Sequence, residues 1–442
     1  ITIYAPSIIL SQLLGWDLNT TVIFIGGIVT IYILSGGTKA VAVTHKQQMF
    51  VIYVGMFTAF GCLIYYLSEY VSFNESLNVA GALGKMNIIT TGAESGSFDW
   101  SDRYNIISGL IGGLFLQLSY FGTDQSQVGR YLGGESVKES RLGLIFNGLM
   151  KVPVQFFILL TGVLVFVFYQ FNQPPVYFNE VAYTQTKNSI YAEELDRLET
   201  AYLAATDNQT KLNRELAEQK VTADAQQTEI LRNSQEQVNG LRTEINAVIK
   251  KANPDIDDDH DYIFMHFVMN YLPIGLVGLL FAVIFSASMS STSSALNGLA
   301  TTFSVDIYKR FINKNASEQQ HLIASKVLTV LFGAMAIGFA LVCSMFDNLI
   351  EAVNILGSLF YGTILGIFLT AFLLKRVKGN AVFIAALLSE AIILYLDFSV
   401  RYDWNTPQLT IGYLWYNVIG CLLVMIFATL LSLGNRKPSY TT

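Results

Sequence analysis

Residues 281–311 read FAVIFSASMSSTSSALNGLATTFSVDIYKRF, and the spacing in this run predicts one long helix with two unlike faces. Ser286, Ser290, Ser293, Asn297, Thr301 and Ser304 recur at steps of three and four, which sets six small polar groups along one side of a 3.6-residue period. Ala287, Ser291, Ser294 and Gly298 widen that side. Phe281, Phe285, Met289, Leu296, Leu299, Phe303 and Ile307 take the opposite side and are expected to meet lipid or apolar neighbours, so the polar face should look inward. The stripe has two readings. Small hydroxyl residues let membrane helices pack closely and bond across to one another. Neutral hydroxyl oxygens also suit a hard monovalent cation, which needs no buried carboxylate to balance a second charge.

Composition sets the class around this helix. Of 442 residues, 52% are hydrophobic, 13% aromatic and 14% charged, which excludes an ordinary soluble domain and predicts an all-α, polytopic membrane protein. The net charge of −6 belongs to one hydrophilic block, because 17 of the 33 carboxylates fall between residues 180 and 261. The rest is mildly basic, and no nucleic acid partner is expected. Cys62, Cys343 and Cys421 all sit in apolar runs, so neither a disulfide framework nor a metal set is implied.

Apolar runs able to cross roughly 30 Å of hydrocarbon occur at about 1–15, 18–36, 47–70, 104–124, 143–172, 265–305, 323–346, 350–374, 380–397 and 410–433. Ile1 is preceded by no initiator Met or charged signal start and reads as lying inside a helix already begun. Fourteen Lys and Arg residues of the short loops, from Lys39 to Lys437, fall on one side, against Lys85, Arg103 and Arg401 on the other. That bias puts the C-terminus in the cytoplasm of a cell membrane protein and residues 178–262 outside. The chain then divides into membrane helices at 1–177, a helical insert at 178–262 and membrane helices at 263–442. In the insert, Leu195, Leu198 and Tyr202, then Val238, Leu241, Ile245 and Val248, keep the spacing of a helical hairpin. Its end, NPDIDDDHD at 253–261, lacks the glycine and spaced glutamate of a calcium loop and reads as a solvated acidic hinge.

The long helix carries A-x-x-S-S ahead of L-N and D-I-Y-K: Ala287, Ser290, Ser291, Leu296, Asn297, Asp306, Ile307, Tyr308 and Lys309. In this it resembles the sodium:solute symporter family, relatives of the sodium/glucose cotransporters, and the resemblance covers nearly all of the chain outside 178–261. It implies a leucine-transporter-like fold of inverted repeats, with ten visible helices of about thirteen expected and the missing ones before Ile1. It also implies Ala287, Ser290 and Ser291 as sodium ligands. IYILSGGTKAV at 31–41 fits the family, but His45 stands where the family's acid lines the sodium exit path.

A second match lies in GLFLQLSYFGTDQSQVGRYL, residues 113–132, through Gly122, Asp124, Gln125, Arg130 and Leu132, with Gly129 in place of the usual glutamine. Asp124 and Arg130 are expected to pair and fix the loop. In sugar-transporting relatives the positions of Gln117 and Tyr120 bond sugar hydroxyls and stack on the ring, and Lys151 matches a substrate-contacting lysine. Taken on their residues alone, Tyr120 can be a packing aromatic and Lys151 can snorkel to the interface. Asn354 opens a run like the family's tenth core helix, with Val353 where sugar binders keep a glutamine. Glu390 is read as fixing a helix contact. These residues predict a sodium-coupled importer of a small polar solute, a sugar or polyol ahead of an organic anion. A solute sensor without net transport is the rival; no paired His and carboxylate at membrane depth favours an enzyme.

Overall fold

A computed structural model describes residues 1–35, 39–87, 90–93, 96–132, 136–218, 225–254, 258–343, 349–401 and 411–433. Of the residues named above, Lys437 lies outside them, as do 36–38 of the 31–41 stretch, 255–257 of the acidic run and the side chains of Lys39, His45, Arg130, Leu132 and Arg401. In chain order the helices are α1 (Tyr4–Leu14), α2 (Leu18–Ser35), α3 (Lys39–Leu67), α4 (Phe73–Ala82), α5 (Gly113–Thr123), α6 (Gln125–Leu132), α7 (Val137–Phe171), α8 (Glu180–Lys187), α9 (Ala192–Glu218), α10 (Ala225–Ala252), α11 (His260–Tyr271), α12 (Ile274–Thr302), α13 (Glu318–Leu341), α14 (Leu349–Leu373), α15 (Gly379–Arg401) and α16 (Leu414–Leu433). Wider π-helical turns lead into α5 over Ser108–Gly112 and continue α12 over Phe303–Ile312. Among the described residues seven helices are long and apolar enough to cross a membrane, and Tyr4–Leu14 and Leu18–Leu34 form shorter apolar helices.

Local chemistry sets several boundaries. Ser72 and Glu75 close a capping box at the start of α4, and Ser317 and Gln320 do the same for α13. Gly15, at φ 65°, ends α1 in the left-handed region that glycine enters without steric cost. The run read as a single span at 265–305 is two helices instead. Pro273 has no N–H to continue the ladder, so α11 stops at Tyr271 and α12 starts afresh at Ile274.

The chain forms two compact units. The first holds α1 to α4, α8 to α13 and most of α7, over residues 1–86 and 147–348. Here α12 packs against α1, α2, α3 and α13. The polar helices α9 and α10 lie side by side over a core of Leu195, Leu198, Tyr202, Val238, Ile245 and Val248. Arg242 reaches Asp259 at 2.6 Å, while the Phe178 N–H donates to the other oxygen of that carboxylate at 2.6 Å. The acidic run is therefore not wholly solvated, because Asp259 is 3% exposed and latches α10 to the chain on either side. Asn213 and Arg214 donate to the carbonyls of Gln170 and Phe171 at the end of α7, each at 2.8 Å.

The second unit holds residues 87–146 and 349–442, with α5 and α6, the first turns of α7, and α14 to α16. Its core joins Leu116, Leu359, Ile393, Leu414 and Tyr416. A β-carbon at Gly362 would lie 2.6 Å from the Asn417 carbonyl oxygen and 2.7 Å from that of Tyr416. Thus α14 and α16 meet backbone to backbone, which small residues permit between membrane helices.

Candidate functional site

The hydroxyl-rich helix α12 is enclosed within the first unit only in part, chiefly between Phe281 and Ala300. Ser288, Ser290, Thr292 and Ser293 are all buried. The Ser288 hydroxyl donates to the Thr2 carbonyl, and the hydroxyls of Thr2 and Thr292 lie 2.7 Å apart, so these groups join α12 to the start of the chain. The Gln48 side-chain amide of α3 donates to the Ser286 hydroxyl. Beside that bond is a cavity of about 330 Å³ that Tyr32, Gln48, Ser286 and Ser290 line with polar groups and Phe285 and Met289 with apolar ones.

The two-faced reading of this helix needs correcting. Ser290, Ser293 and Ser304 are buried as the stripe requires, but Asn297 and Thr301 on the same side are exposed. On the bulky side Phe281 and Leu296 are buried, in keeping with apolar neighbours there, while Leu299 and Ile307 are exposed. The cause is that α12 has helix neighbours on several sides, so burial follows the level along its axis as well as the face. Ala287 and Ser291 are half-buried and Ser290 is fully so. At spacing i, i+3 and i+4 these three share one side of α12, where the alanine can offer only a carbonyl and the serines offer hydroxyls. Among the described residues no three His, Cys, Asp or Glu side chains converge. A cation at α12 would thus meet neutral oxygens.

The residues expected to face solute are divided between the units. In the second unit Gln117 is exposed on α5, Tyr120 is half-buried on the same helix, and Asn354 is half-buried on α14. The rings of Tyr120 and Tyr361 lie 6.3 Å apart, and the Tyr361 hydroxyl donates to Asp124 at 3.3 Å. Asp124 also accepts from the backbone N–H of Ser126 at 2.8 Å and from its hydroxyl at 2.6 Å, which organises the turn into α6. Lys151 belongs to the first unit, exposed on α7 two residues before Pro153. Sequence reasoning missed Thr2, Ser288, Thr292 and Tyr361. Ser288 and Thr292 were visible as an i, i+4 hydroxyl pair about one residue off the main stripe, whereas nothing local marked Tyr361.

Comparison with known proteins adds to this geometry. The sequence profile described as "SSF: Sodium:solute symporter family" matches residues 1–192 and 244–389. A sodium/sialic acid symporter of Proteus mirabilis is 23% identical over 439 residues, covering 97% of this chain and 68% of that protein. A second one, from Aliivibrio fischeri, is 31% identical over 166 residues, or 37% of this chain and 31% of that protein. The sodium/glucose cotransporter of Vibrio parahaemolyticus is 23% identical over 403 residues, covering 90% of this chain and 60% of the relative. The chain therefore spans 31% to 68% of the length of these relatives. A solved Na+-coupled sialic acid symporter, in a substrate-bound outward-open state, superposes with a TM-score of 0.63 at 20% identity, over 98% of this chain and 70% of its own. That likeness gives this chain the leucine-transporter-like fold.

Proposed function

The chain belongs to the sodium:solute symporter family, and from that premise we propose that it couples sodium movement to import of a small polar solute by alternating access. The observation that carries the reading is the cavity at α12, where Gln48, Ser286 and Ser290 bring polar groups into a mainly apolar lining. Polar groups at membrane depth are costly unless something polar uses them. Ala287, Ser290 and Ser291 are proposed as sodium ligands. Gln117, Tyr120, Lys151 and Asn354 are proposed to meet the solute. Sodium is sufficient as a driver: about 2.3 kcal/mol per charge through 100 mV, plus about 1.4 kcal/mol per tenfold gradient, supports roughly hundredfold accumulation per ion.

The solute class rests on fewer groups. Gln117 and Tyr120 favour a sugar or polyol, and Lys151 suits a carboxylate. The named relatives include symporters for sialic acid, which carries both features, and a cotransporter for glucose. Counterflow in proteoliposomes, with sugars, inositols, sialic acid and monocarboxylates offered in sodium or choline buffer, tests the proposal. Sodium-dependent exchange of at least one member of that panel is expected. Solute binding with no exchange would favour a sensor, and exchange that ignores sodium would defeat the coupling.

A further inference from the structure

Three helices of the second unit end around one concavity. α14 closes at Leu373, α15 opens at Gly379, and α16 closes at Leu433. The space between them is about 560 Å³. Lys375, Arg376 and Lys378, all from the turn between α14 and α15, line it together with Ser432, whose hydroxyl donates to the Arg376 carbonyl at 3.3 Å. Among the described residues no Asp or Glu lines this space, and every ion pair seen lies elsewhere. The Lys378 carbonyl accepts the N–H groups of Ala381 at 3.0 Å and Val382 at 3.2 Å, which starts α15 here and adds the positive end of its dipole.

A cation or two after α14 would serve its C-terminal dipole. Three cations within four residues, around a hollow with no acid, leave positive charge for a ligand. The rest of the lining narrows the choice. Leu373 and Leu433 border the same space at 65% and 53% exposed, and both end helices apolar enough to cross a membrane. A site with a basic floor and apolar walls at the end of membrane helices has the composition of a headgroup pocket. We propose that this cavity binds one anionic phospholipid, its phosphate among Lys375, Arg376, Lys378 and Ser432 and its glycerol and upper acyl carbons along Leu373 and Leu433. A free phosphate would satisfy the cations but leave those walls in water.

Native mass spectrometry of the purified protein in detergent tests this, with phosphatidylglycerol and phosphatidylcholine of matched chains. One phosphatidylglycerol should be retained per chain, roughly tenfold or more in preference to phosphatidylcholine. Replacing all three cations, Lys375→Gln with Arg376→Gln and Lys378→Gln, should weaken retention roughly hundredfold, on the scale of what each cation contributes near an anionic surface. Millimolar inorganic phosphate should displace none of the lipid. Equal retention of the two lipids, a triple variant that binds normally, or displacement by phosphate would each overturn the site. If the triple variant does not purify as a single species, Thr429→Phe serves in its place. Thr429 is an exposed residue lining the cavity, and the larger ring narrows the space while all three charges stay. That variant should also lose phosphatidylglycerol, and unchanged binding would again overturn the proposal.

Discussion

If α12 holds sodium as proposed, removing one of its liganding hydroxyls deprives the ion of an oxygen where water replaces it poorly. In cells expressing the protein, Ser291→Ala should raise the sodium concentration for half-maximal uptake about tenfold, since one lost ligand costs about 1.4 kcal/mol on the scale of a hydrogen bond. Ser294→Ala is the control. Both serines are half-buried on the same helix, so burial alone cannot separate them. If the two variants shift sodium dependence equally, the stripe is helix packing. At Lys151, loss of the ammonium through Lys151→Met should weaken solute binding by roughly 1.5 to 3 kcal/mol, the worth of a charged hydrogen bond. Sodium binding measured calorimetrically without solute should stay near normal, and parallel loss of both would mark the lysine as structural. The stripe itself was legible because its period is local. The bond from Ser288 to Thr2 was not, since it joins positions 286 residues apart, and the exposure of Asn297 depends on neighbours that no spacing within α12 reveals.

Between elements, glycine placement tells how close two helices come. At Gly362 an added methyl would strike backbone atoms of α16, which cannot rotate away as a side chain can. Gly362→Ala should therefore destabilise the protein by roughly 1 to 3 kcal/mol, the usual cost of overpacking. At Gly27 of α2 nothing lies within 4 Å of the added carbon. Gly27→Ala should be neutral or slightly stabilising, because alanine is the better helix former. Thermal unfolding of both variants in detergent decides the matter; a Gly362 variant as stable as the Gly27 one would show that α14 and α16 can move apart freely. The order of helices was largely readable from apolar runs, whose length is set by the bilayer. The break at Leu272 and Pro273 was masked by the apolar residues on both sides of it, and the backbone contact of α14 with α16 by the lack of any long-range signal in a glycine.

For the molecule as a whole, the charge bias of the loops predicts which side of the membrane holds the polar helices. A cysteine replacing the exposed Asn208 on α9 should react with an impermeant thiol reagent on intact cells. Reaction only after lysis would reverse the orientation. Acidification should tighten the junction between the insert and α11. The bond from Asp258 raises the His260 imidazole above its ordinary value. A group raised in the folded state contributes stability in full below its unfolded pKa and loses it as pH rises through the folded value. The His260 contribution therefore grows as pH falls through the raised imidazole value and is complete below the ordinary value of 6.5. Burial pulls Asp258 upward, but the bonds from His260 outweigh it and hold that carboxyl below its ordinary range, so its opposing effect falls at lower pH. Hydrogen exchange at residues 258–262, corrected for intrinsic rates, should show slower opening at the acid end; faster opening there would contradict it. The insert also has a practical consequence for imaging. Membrane helices inside a detergent belt give little contrast for aligning single particles, but α9 and α10 are fixed to α7 through the bonds to Gln170 and Phe171 and latched through Arg242 and Asp259. They form a built-in fiducial, carried by the first unit, that would orient each particle without an added antibody fragment.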